Sequence, residues 1–198
     1  MGRKGLLTRK RIMEKTLKLI KTTSYKDVTV ADVAFEAGTS TSSFYVYFDD
    51  IEDVLFACIQ DAAQDMNSIL VILEQNWSKD DIRSKVQQFI DEYMKLWERH
   101  TTELLIRNIE ADQGNLRFSQ LRYNSVKAII EGLEKKISEA QPDVKNAYPL
   151  AVVLFTAIER MAAHNYRGLI SRRLTPRKLN EALSDIILAL LVHGAPKE

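Results

Sequence analysis

The sequence predicts an all-α fold of about nine helices, and three observations support this. Every long segment of the 198-residue chain repeats its apolar residues at the helical period, and none alternates like a strand. Seven Gly and four Pro are few for an all-β or loop-rich fold, because turns require both. Hydrophobic residues make up 45% of the chain and charged residues 28%, a balance typical of globular proteins.

The first three predicted helices have clear ends, and the second and third are short. Thr8 is expected to cap the first helix, which runs to Thr22 with one apolar and one basic side. Thr29 caps the second, and Gly38 ends it in a left-handed conformation that glycine adopts easily. Ser40 caps the third, which carries aromatic residues on one face.

The remaining six predicted helices are longer. An apolar stripe from Ile51 to Leu73 predicts one unbroken fourth helix, roughly 35 Å long. Gly168 is expected to close the eighth helix, and Thr175 with Pro176 to begin the ninth. The helices after the fourth are expected at about 78–100, 102–112, 116–140, a stretch ending at 166, and 175–193.

The charge is unevenly distributed along the chain. Residues 1–26 hold nine Lys and Arg against one acid, Glu14, although the net charge of the whole chain is only +1. A basic end is typical of a surface that meets phosphate, but a solvated basic helix face gives the same pattern. Both interpretations stay open on charge alone.

The sequence predicts a cytoplasmic protein without a membrane span. The longest apolar run, Ile186–Val192, has seven residues, whereas a span needs about 20. The N-terminus carries no apolar segment of a secretion signal. A single cysteine, Cys58, excludes an intrachain disulfide and is expected to be a buried small hydrophobe.

Residues 29–48, TVADVAFEAGTSTSSFYVYF, have the pattern of a helix-turn-helix. The second helix of this motif begins with small polar residues and continues with aromatic ones. Small side chains let a helix backbone approach a DNA groove closely, and tyrosine hydroxyls can reach phosphate oxygens. Lysines on the preceding helix would add the electrostatic attraction that phosphates require.

With these residues the sequence resembles the TetR family of bacterial transcriptional regulators. The resemblance covers residues 8 to about 56 and rests on Thr8-Arg9, Ile12, Thr29-Val30-Ala31-Asp32-Val33-Ala34, Ala37-Gly38, Ser40, Tyr45-Val46-Tyr47-Phe48, Asp50 and Glu52. It implies an all-α homodimer in the bacterial cytoplasm, with a DNA-binding domain at 1–52 and a ligand-binding and dimerisation domain at 53–198. In such proteins a ligand moves the fourth helix, and the protein then leaves its operator.

The resemblance also implies which residues meet DNA. Thr41, Ser42 and Ser43 stand where the family contacts base edges, and Tyr45 and Tyr47 where it contacts phosphates. The expected DNA-binding residues are Thr8, Arg9, Thr29, Ser40, Thr41, Ser42, Ser43, Tyr45 and Tyr47.

Two positions depart from the family pattern. Ile51 replaces a lysine that binds phosphate, which puts one contact in doubt, although isoleucine also extends an apolar stripe. Ser42 replaces a glycine, so its side chain either reads a base or fills space.

A ligand site is expected where polar residues interrupt apolar helix faces. Such a site would have a few polar anchors in an apolar or aromatic wall, although buried ion pairs would give the same pattern. The expected ligand-binding residues are Tyr93, Met94, Trp97, Arg107, Phe118, Arg122, Tyr123 and Glu159.

The last two helices are expected to form the interface of a homodimer. The last one is apolar around most of its circumference, so it must be buried on most sides. A second copy in a two-fold arrangement would complete a four-helix bundle. The expected interface residues are Val153, Ala157, Met161, Leu179, Leu183, Ile186, Ile187 and Leu190.

Taken together with these patterns, the TetR resemblance implies a ligand-responsive regulator, a repressor released from a palindromic operator by a small, largely apolar molecule. The alternative is a helical dimer that acts through protein partners with weakened operator binding, and only Ile51 favours it. No residue set supports an enzyme, and neither a cofactor nor a metal is expected, because the three histidines lie far apart in sequence.

Overall fold

The computed structural model describes residues 2–167 and 175–193, and every regular element in these ranges is helical. None of these helices is both long and apolar enough to span a membrane. The all-α prediction is therefore confirmed. The helices are α1 Arg3–Ile20, α2 Val30–Glu36, α3 Thr41–Phe44, α4 Ile51–Gln64, α5 Asn67–Glu74, α6 Ile82–Arg99, α7 Thr101–Asp112, α8 Leu116–Ala140, α9 Ala147–Arg167 and α10 Pro176–Leu188, followed by a π-helical turn at Ala189–His193.

Helix α1 begins five residues earlier than predicted. Its N-cap is Gly2, which has no side chain to bond, and the Thr8 hydroxyl donates to the Lys4 carbonyl oxygen at 3.1 Å. The prediction that Thr8 caps the helix is therefore wrong. The residues before Thr8 include Arg, Lys and two Leu, which have high helix propensity, so the helix extends through them.

The predicted long fourth helix is two helices, α4 and α5, separated at Asp65 and Met66. The apolar stripe continues through the break, because Met66 and Ile69 are both buried. The Asp65 carboxylate, which lies between the two helices, contacts a residue after α6, and its Oδ2 is 2.8 Å from His100 Nε2. Asp65, Asn67 and Ser68 also have short polar side chains that compete for backbone hydrogen bonds and so weaken a continuous helix. The Ser68 hydroxyl, for example, donates to the Asp65 carbonyl oxygen.

Contacts between Cα atoms divide the chain into two compact units. The first contains the residues up to Gln64 together with Thr102–Leu121, and the second contains Asp65–Thr101 together with the chain from Arg122 onward. The segment Thr102–Leu121 thus packs with the N-terminal helices, although it is distant in sequence. These two units reflect packing and not function, so the division into a DNA-binding domain at 1–52 and a ligand-binding domain at 53–198 remains a prediction.

The core of the first unit holds α1–α4 together. It is built from one side of α1, the inward faces of α2 and α4, and the two phenylalanines that flank the end of α3. Its buried residues are Ile12, Met13, Val28, Val33, Ala37, Phe44, Phe48, Val54, Ala57 and Cys58. A second cluster joins α4 to α7 and the start of α8 through Leu55, Ile59, Ile106, Ala111 and Phe118.

In the second unit, helices α5, α9 and α10 all pack against α6. Buried side chains of α6 include Phe89, Ile90, Tyr93 and Trp97. The end of α5 is held by two donors, since Trp77 Nε1 bonds the Ile72 carbonyl at 2.9 Å. The buried Lys136 ammonium donates to the Gln75 carbonyl oxygen at 2.9 Å. A positive charge at this position is favourable, because the C-terminal end of a helix carries a partial negative charge.

Three of the predicted helix ends are confirmed. Thr29 and Ser40 cap α2 and α3, and Thr175 caps α10 with Pro176 at its first position. The predicted stop at Gly168 lies outside the described residues, as does Gly194, which follows the predicted end of the last helix.

The turn between α2 and α3 depends on Gly38, which has a φ of +58°. The Thr39 amide donates to the Ala34 carbonyl at 2.9 Å and the Gly38 amide to the Phe35 carbonyl at 3.0 Å. These two bonds form a Schellman motif, in which glycine avoids the clash of a Cβ atom with its own backbone. A Cβ atom at Gly38 would meet nothing else within 4 Å, so the requirement is purely conformational.

Replacing Gly38 with Ala should therefore lower the free energy of unfolding by about 1 kcal/mol. Gly38→Asn should cost less, because asparagine adopts the left-handed conformation more readily than alanine. Urea denaturation would measure both losses of stability as a lower urea concentration at the unfolding midpoint, with an unchanged dependence of the free energy of unfolding on urea. Equal stability of the Ala variant and the wild type would contradict this assignment of the turn.

Candidate DNA-binding face and effector site

The N-terminus of α2 is fixed by a reciprocal pair of bonds between Thr29 and Asp32. The Asp32 amide donates to Thr29 Oγ1 at 3.2 Å, and the Thr29 amide donates to Asp32 Oδ2 at 3.1 Å. The Thr29 hydroxyl also donates to the same carboxylate oxygen at 2.5 Å. This bond, followed by the bond from the Thr29 amide, lowers the pKa of the Asp32 carboxyl below its ordinary value. The cap is therefore formed by an ionised carboxylate at neutral pH.

The first turn of α3 presents small hydroxyl side chains to solvent. Ser40 Oγ accepts a bond from the Ser43 amide at 3.1 Å and donates to Ser43 Oγ at 3.0 Å. Thr41 and Ser42 are exposed beside this cap. The predicted base-reading residues thus lie together on an outer surface, whereas Phe44 behind them is fully buried.

Aromatic side chains support this surface from behind and flank it. Phe44 packs edge-on against Tyr45 with 5.6 Å between ring centroids, and it also contacts Phe48 at 6.0 Å. Tyr45 is 58% exposed, whereas Tyr47 is half-buried. Tyr45 is thus more accessible to a phosphate than Tyr47.

Arg9 of α1 has a packing role that the sequence does not reveal. Its guanidinium lies 4.9 Å from the centroid of the Phe48 ring, and its Nη1 is 3.3 Å from Met13 Sδ. Arg9 and Thr8 are both half-buried. Arg9 therefore helps to hold α1 against the turn that follows α3. The strongly exposed cations of α1 are Arg3, Lys4, Lys10, Arg11 and Lys18.

Ile51 contributes to packing at the start of α4. Its side chain is partly buried and packs against both core clusters of the first unit. The preceding Asp50 carboxylate accepts the Asp53 amide at 2.8 Å and so caps this helix. The isoleucine therefore extends the apolar core, which is the simpler of the two explanations for its presence.

Residues far apart in sequence join the segment Thr102–Leu121 to the N-terminal helices. The Tyr25 hydroxyl donates to Glu110 Oε1 at 2.6 Å across 85 residues. Burial, followed by the bond to Glu110, raises the pKa of the Tyr25 hydroxyl above its ordinary value, so it remains a donor. Lys26 Nζ, next along the chain, donates to Gln113 Oε1 at 3.0 Å.

A second connection lies at the start of α8. Arg117 Nη2 donates to Asp53 Oδ1 at 2.6 Å, and its guanidinium lies 3.9 Å from the centroid of the Phe56 ring. Phe56 in turn packs edge-on against Phe118 at 5.8 Å. Sequence reasoning missed these contacts, because helical periodicity contains no information on pairs so distant in the chain.

The predicted ligand-binding residues are divided between the two units. Arg107 and Phe118 belong to the first unit, and both are buried. Phe118 is part of a core cluster, and Arg107 Nε donates to Asn108 Oδ1 at 3.1 Å. Packing therefore accounts for Phe118 in this structure.

The other six predicted residues lie in the second unit. Tyr93, Met94 and Trp97 are buried on α6, and Tyr93 packs edge-on against Phe155 of α9 at 5.7 Å. These side chains form an apolar, aromatic surface inside the unit. Three further predicted residues are half-buried or exposed, namely Arg122, Tyr123 and Glu159.

The predicted interface residues differ in exposure. Leu183 and Ile187 are buried within their own subunit, at 4% and 0% exposure, so they belong to its core. The outward-facing members are Val153, at 69% exposure, Ile186, at 58%, and Ala157. Met161, Leu179 and Leu190 are half-buried. An interface between two copies would therefore use the exposed and half-buried members.

Cys58 is buried, as predicted, with 4% exposure. Burial, reinforced by the nearby carboxylates of Glu103 and Asp61, raises the pKa of its thiol to about 12. The protonated thiol is a poor nucleophile, so this cysteine acts as a small core residue.

Comparison with known families identifies both parts of the chain. The family model for bacterial regulatory proteins of the tetR family matches residues 12–58. The model for the tetracyclin repressor-like C-terminal domain matches residues 69–194. Comparison with curated proteins finds no match.

Solved structures with the same fold include three bacterial regulators. The fatty acid degradation regulator FadR from Bacillus halodurans is 14% identical, with a TM-score of 0.71 over 95% of this chain and 96% of that one. FadR from Bacillus subtilis, in complex with stearoyl-CoA, is 19% identical, with a TM-score of 0.66 over 94% and 98%.

The third is a regulator of the TetR/AcrR family from Thermobifida fusca, which is 18% identical, with a TM-score of 0.64 over 91% of this chain and 96% of that one. At these identities the likeness establishes the fold. The two family models together extend over most of the sequence, and they agree with the helix-turn-helix geometry of α2 and α3. The chain therefore belongs to the TetR family of bacterial transcriptional regulators.

Proposed function

We propose that this regulator is a homodimeric repressor that binds a palindromic operator through α2 and α3 and is released by a long-chain acyl-coenzyme A. The observation that carries the DNA-binding part is the exposed row of hydroxyl side chains on the first turn of α3. Thr41 and Ser42 lie on this row, and their helix is held by the buried Phe44. Short side chains on a rigidly packed helix are well suited to approach base edges closely.

Charge supports the same assignment. Exposed Lys and Arg side chains along α1 belong to the same compact unit as α3. Cations next to a reading helix attract phosphates and fix its register on the duplex, whereas base contacts determine sequence preference. The alternative, a dimer acting only through protein partners, rests on Ile51 alone, and the packing of Ile51 against the core gives this residue a structural role.

The interior of the second unit supports an apolar effector. Tyr93, Met94, Trp97 and Phe155 are all buried there, and most of their surface is apolar or aromatic. Bacillus subtilis FadR, which shares the fold, is seen in complex with stearoyl-CoA. A long acyl chain would bury its methylene groups favourably against such side chains, at about 0.8 kcal/mol for each one.

A two-fold dimer would match the two half-sites of a palindromic operator. The exposed apolar residues of α9 and α10, Val153 and Ile186, supply a surface that a second copy would cover. Closed two-fold dimers are the commonest oligomers, since one patch serves both partners.

Substitutions on α3 should separate base reading from phosphate binding. Thr41→Ala should change the preference at one or two base pairs of each half-site by about 1–3 kcal/mol. Tyr47→Phe should weaken binding to all duplexes about equally, because a phosphate contact carries no base information. Selection of binding sites from random duplexes, followed by fluorescence anisotropy at several salt concentrations, measures both effects. Unchanged affinity and preference in both variants would contradict the assignment of α3 as the reading helix.

A charge on the outer face of α10 should separate the dimer. Ile186→Glu should give a 22.7 kDa monomer on sedimentation at micromolar concentration, with operator binding lost as well. Val71→Glu is a matched control, because Val71 has nearly the same exposure, 57%, and lies in the same unit. A wild-type protein that sediments as a monomer would refute the homodimer.

A further inference from the structure

Two side-chain polar atoms of the described residues are buried without a hydrogen-bond partner, Trp97 Nε1 and Asn180 Oδ1. Trp97 has no exposed surface at all. An indole N–H can only donate, and buried donors in native proteins nearly always have an acceptor. The other tryptophan follows this rule, because Trp77 Nε1 donates to the Ile72 carbonyl at 2.9 Å. Trp97 is therefore the tryptophan that requires an acceptor from outside the described residues.

The position of Trp97 is well defined. It lies on α6 one turn after Tyr93, so the two side chains share a face of that helix. Tyr93 packs against Phe155, and Met94 beside it is 93% buried, with 7% exposure. The Thr101 hydroxyl donates to the Trp97 carbonyl at 2.6 Å and stabilises the last turn of the helix. The indole is thus a buried donor at a fixed position, on the same helix face as the aromatic side chain of Tyr93.

The surroundings restrict the kind of acceptor that Trp97 could receive. A phosphate or carboxylate would lose its hydration beside buried aromatic side chains such as Tyr93, at a high cost in free energy. An amide carbonyl would bring its own N–H group, which would also need a partner. A thioester carbonyl is neutral, brings no donor, and is joined directly to an apolar chain.

We propose that Trp97 Nε1 donates a hydrogen bond to the thioester carbonyl oxygen of the bound acyl-coenzyme A. This inference rests on the proposed function and makes Trp97 the residue that distinguishes an acyl thioester from a plain alkyl chain. Tyr93 and Met94 contact the chain, and the indole positions the carbonyl at its end.

The test compares two ligands of the same chain length, stearoyl-coenzyme A and its thioether analogue S-octadecyl-coenzyme A, which lacks the carbonyl oxygen. Isothermal titration calorimetry on the full-length protein gives both dissociation constants. The wild type should bind the thioester about fivefold more tightly, the effect of one neutral hydrogen bond. Trp97→Phe should bind both ligands equally, whereas the control Trp77→Phe should keep the wild-type preference.

Trp97→Phe also removes volume from a packed core, so a second variant preserves the shape. Benzothienylalanine at position 97, incorporated in the Trp77→Phe background, replaces the N–H group with sulfur in a ring of nearly the same size. Loss of the thioester preference in this variant would support the proposal. Retention of the preference, or an equal loss of affinity for both ligands, would overturn it.

Failure of the proposed function gives a different result. If neither ligand binds to the wild type, the acyl-coenzyme A effector itself is refuted, together with the role of Trp97. If both bind to the wild type with equal affinity, the effector class stands and the hydrogen bond from Trp97 is refuted.

Discussion

The burial of Phe44 and Phe48 is the constraint on which the DNA-binding face depends. Helix α3 has only four residues, and an isolated helix of that length is unstable in water. Its geometry therefore comes from tertiary packing, since Phe44 has 0% exposure and Phe48 has 3%. The Arg9 guanidinium on the Phe48 ring adds an attachment to α1. The hydroxyl row on α3 can be polar and small because the aromatic side chains behind it provide the stability.

The first compact unit includes residues from the middle of the chain. Helix α7 and the start of α8 pack with the N-terminal helices, connected by the Tyr25–Glu110 bond and the Arg117–Asp53 ion pair. Both bonds join a charged group to a partner at 2.6 Å, and hydrogen bonds to charged groups are stronger than neutral ones. The start of α8 is therefore attached by side-chain bonds to the unit that carries α3.

Local signals in the sequence were sufficient for the helix class and for the caps, since Thr29, Ser40 and Gly38 act on residues within five positions of themselves. Long-range contacts were not predictable. The Asp65–His100 contact lies at the break after α4, and the apolar stripe that runs through this point concealed the break. Helix α10 is amphipathic, since Arg177, Lys178, Glu181 and Asp185 are exposed, so the expectation that most of its circumference is apolar was wrong. Ile186 and Ile187 lie on different faces of this helix, and apolar character alone did not separate the buried Ile187 from the exposed Ile186.

The candidate effector site shows the same limit, because the sequence placed Trp97 on an apolar face but could not reveal that its N–H lacks an acceptor.

The central claim is that the protein binds either its operator or a long-chain acyl-coenzyme A, and not both at once. Its most direct test is the fluorescence anisotropy of a selected operator duplex bound to the wild-type protein, titrated with stearoyl-coenzyme A. The anisotropy should fall to the value of free DNA, whereas coenzyme A alone should leave it unchanged. A complex that persists at saturating stearoyl-coenzyme A would contradict the account.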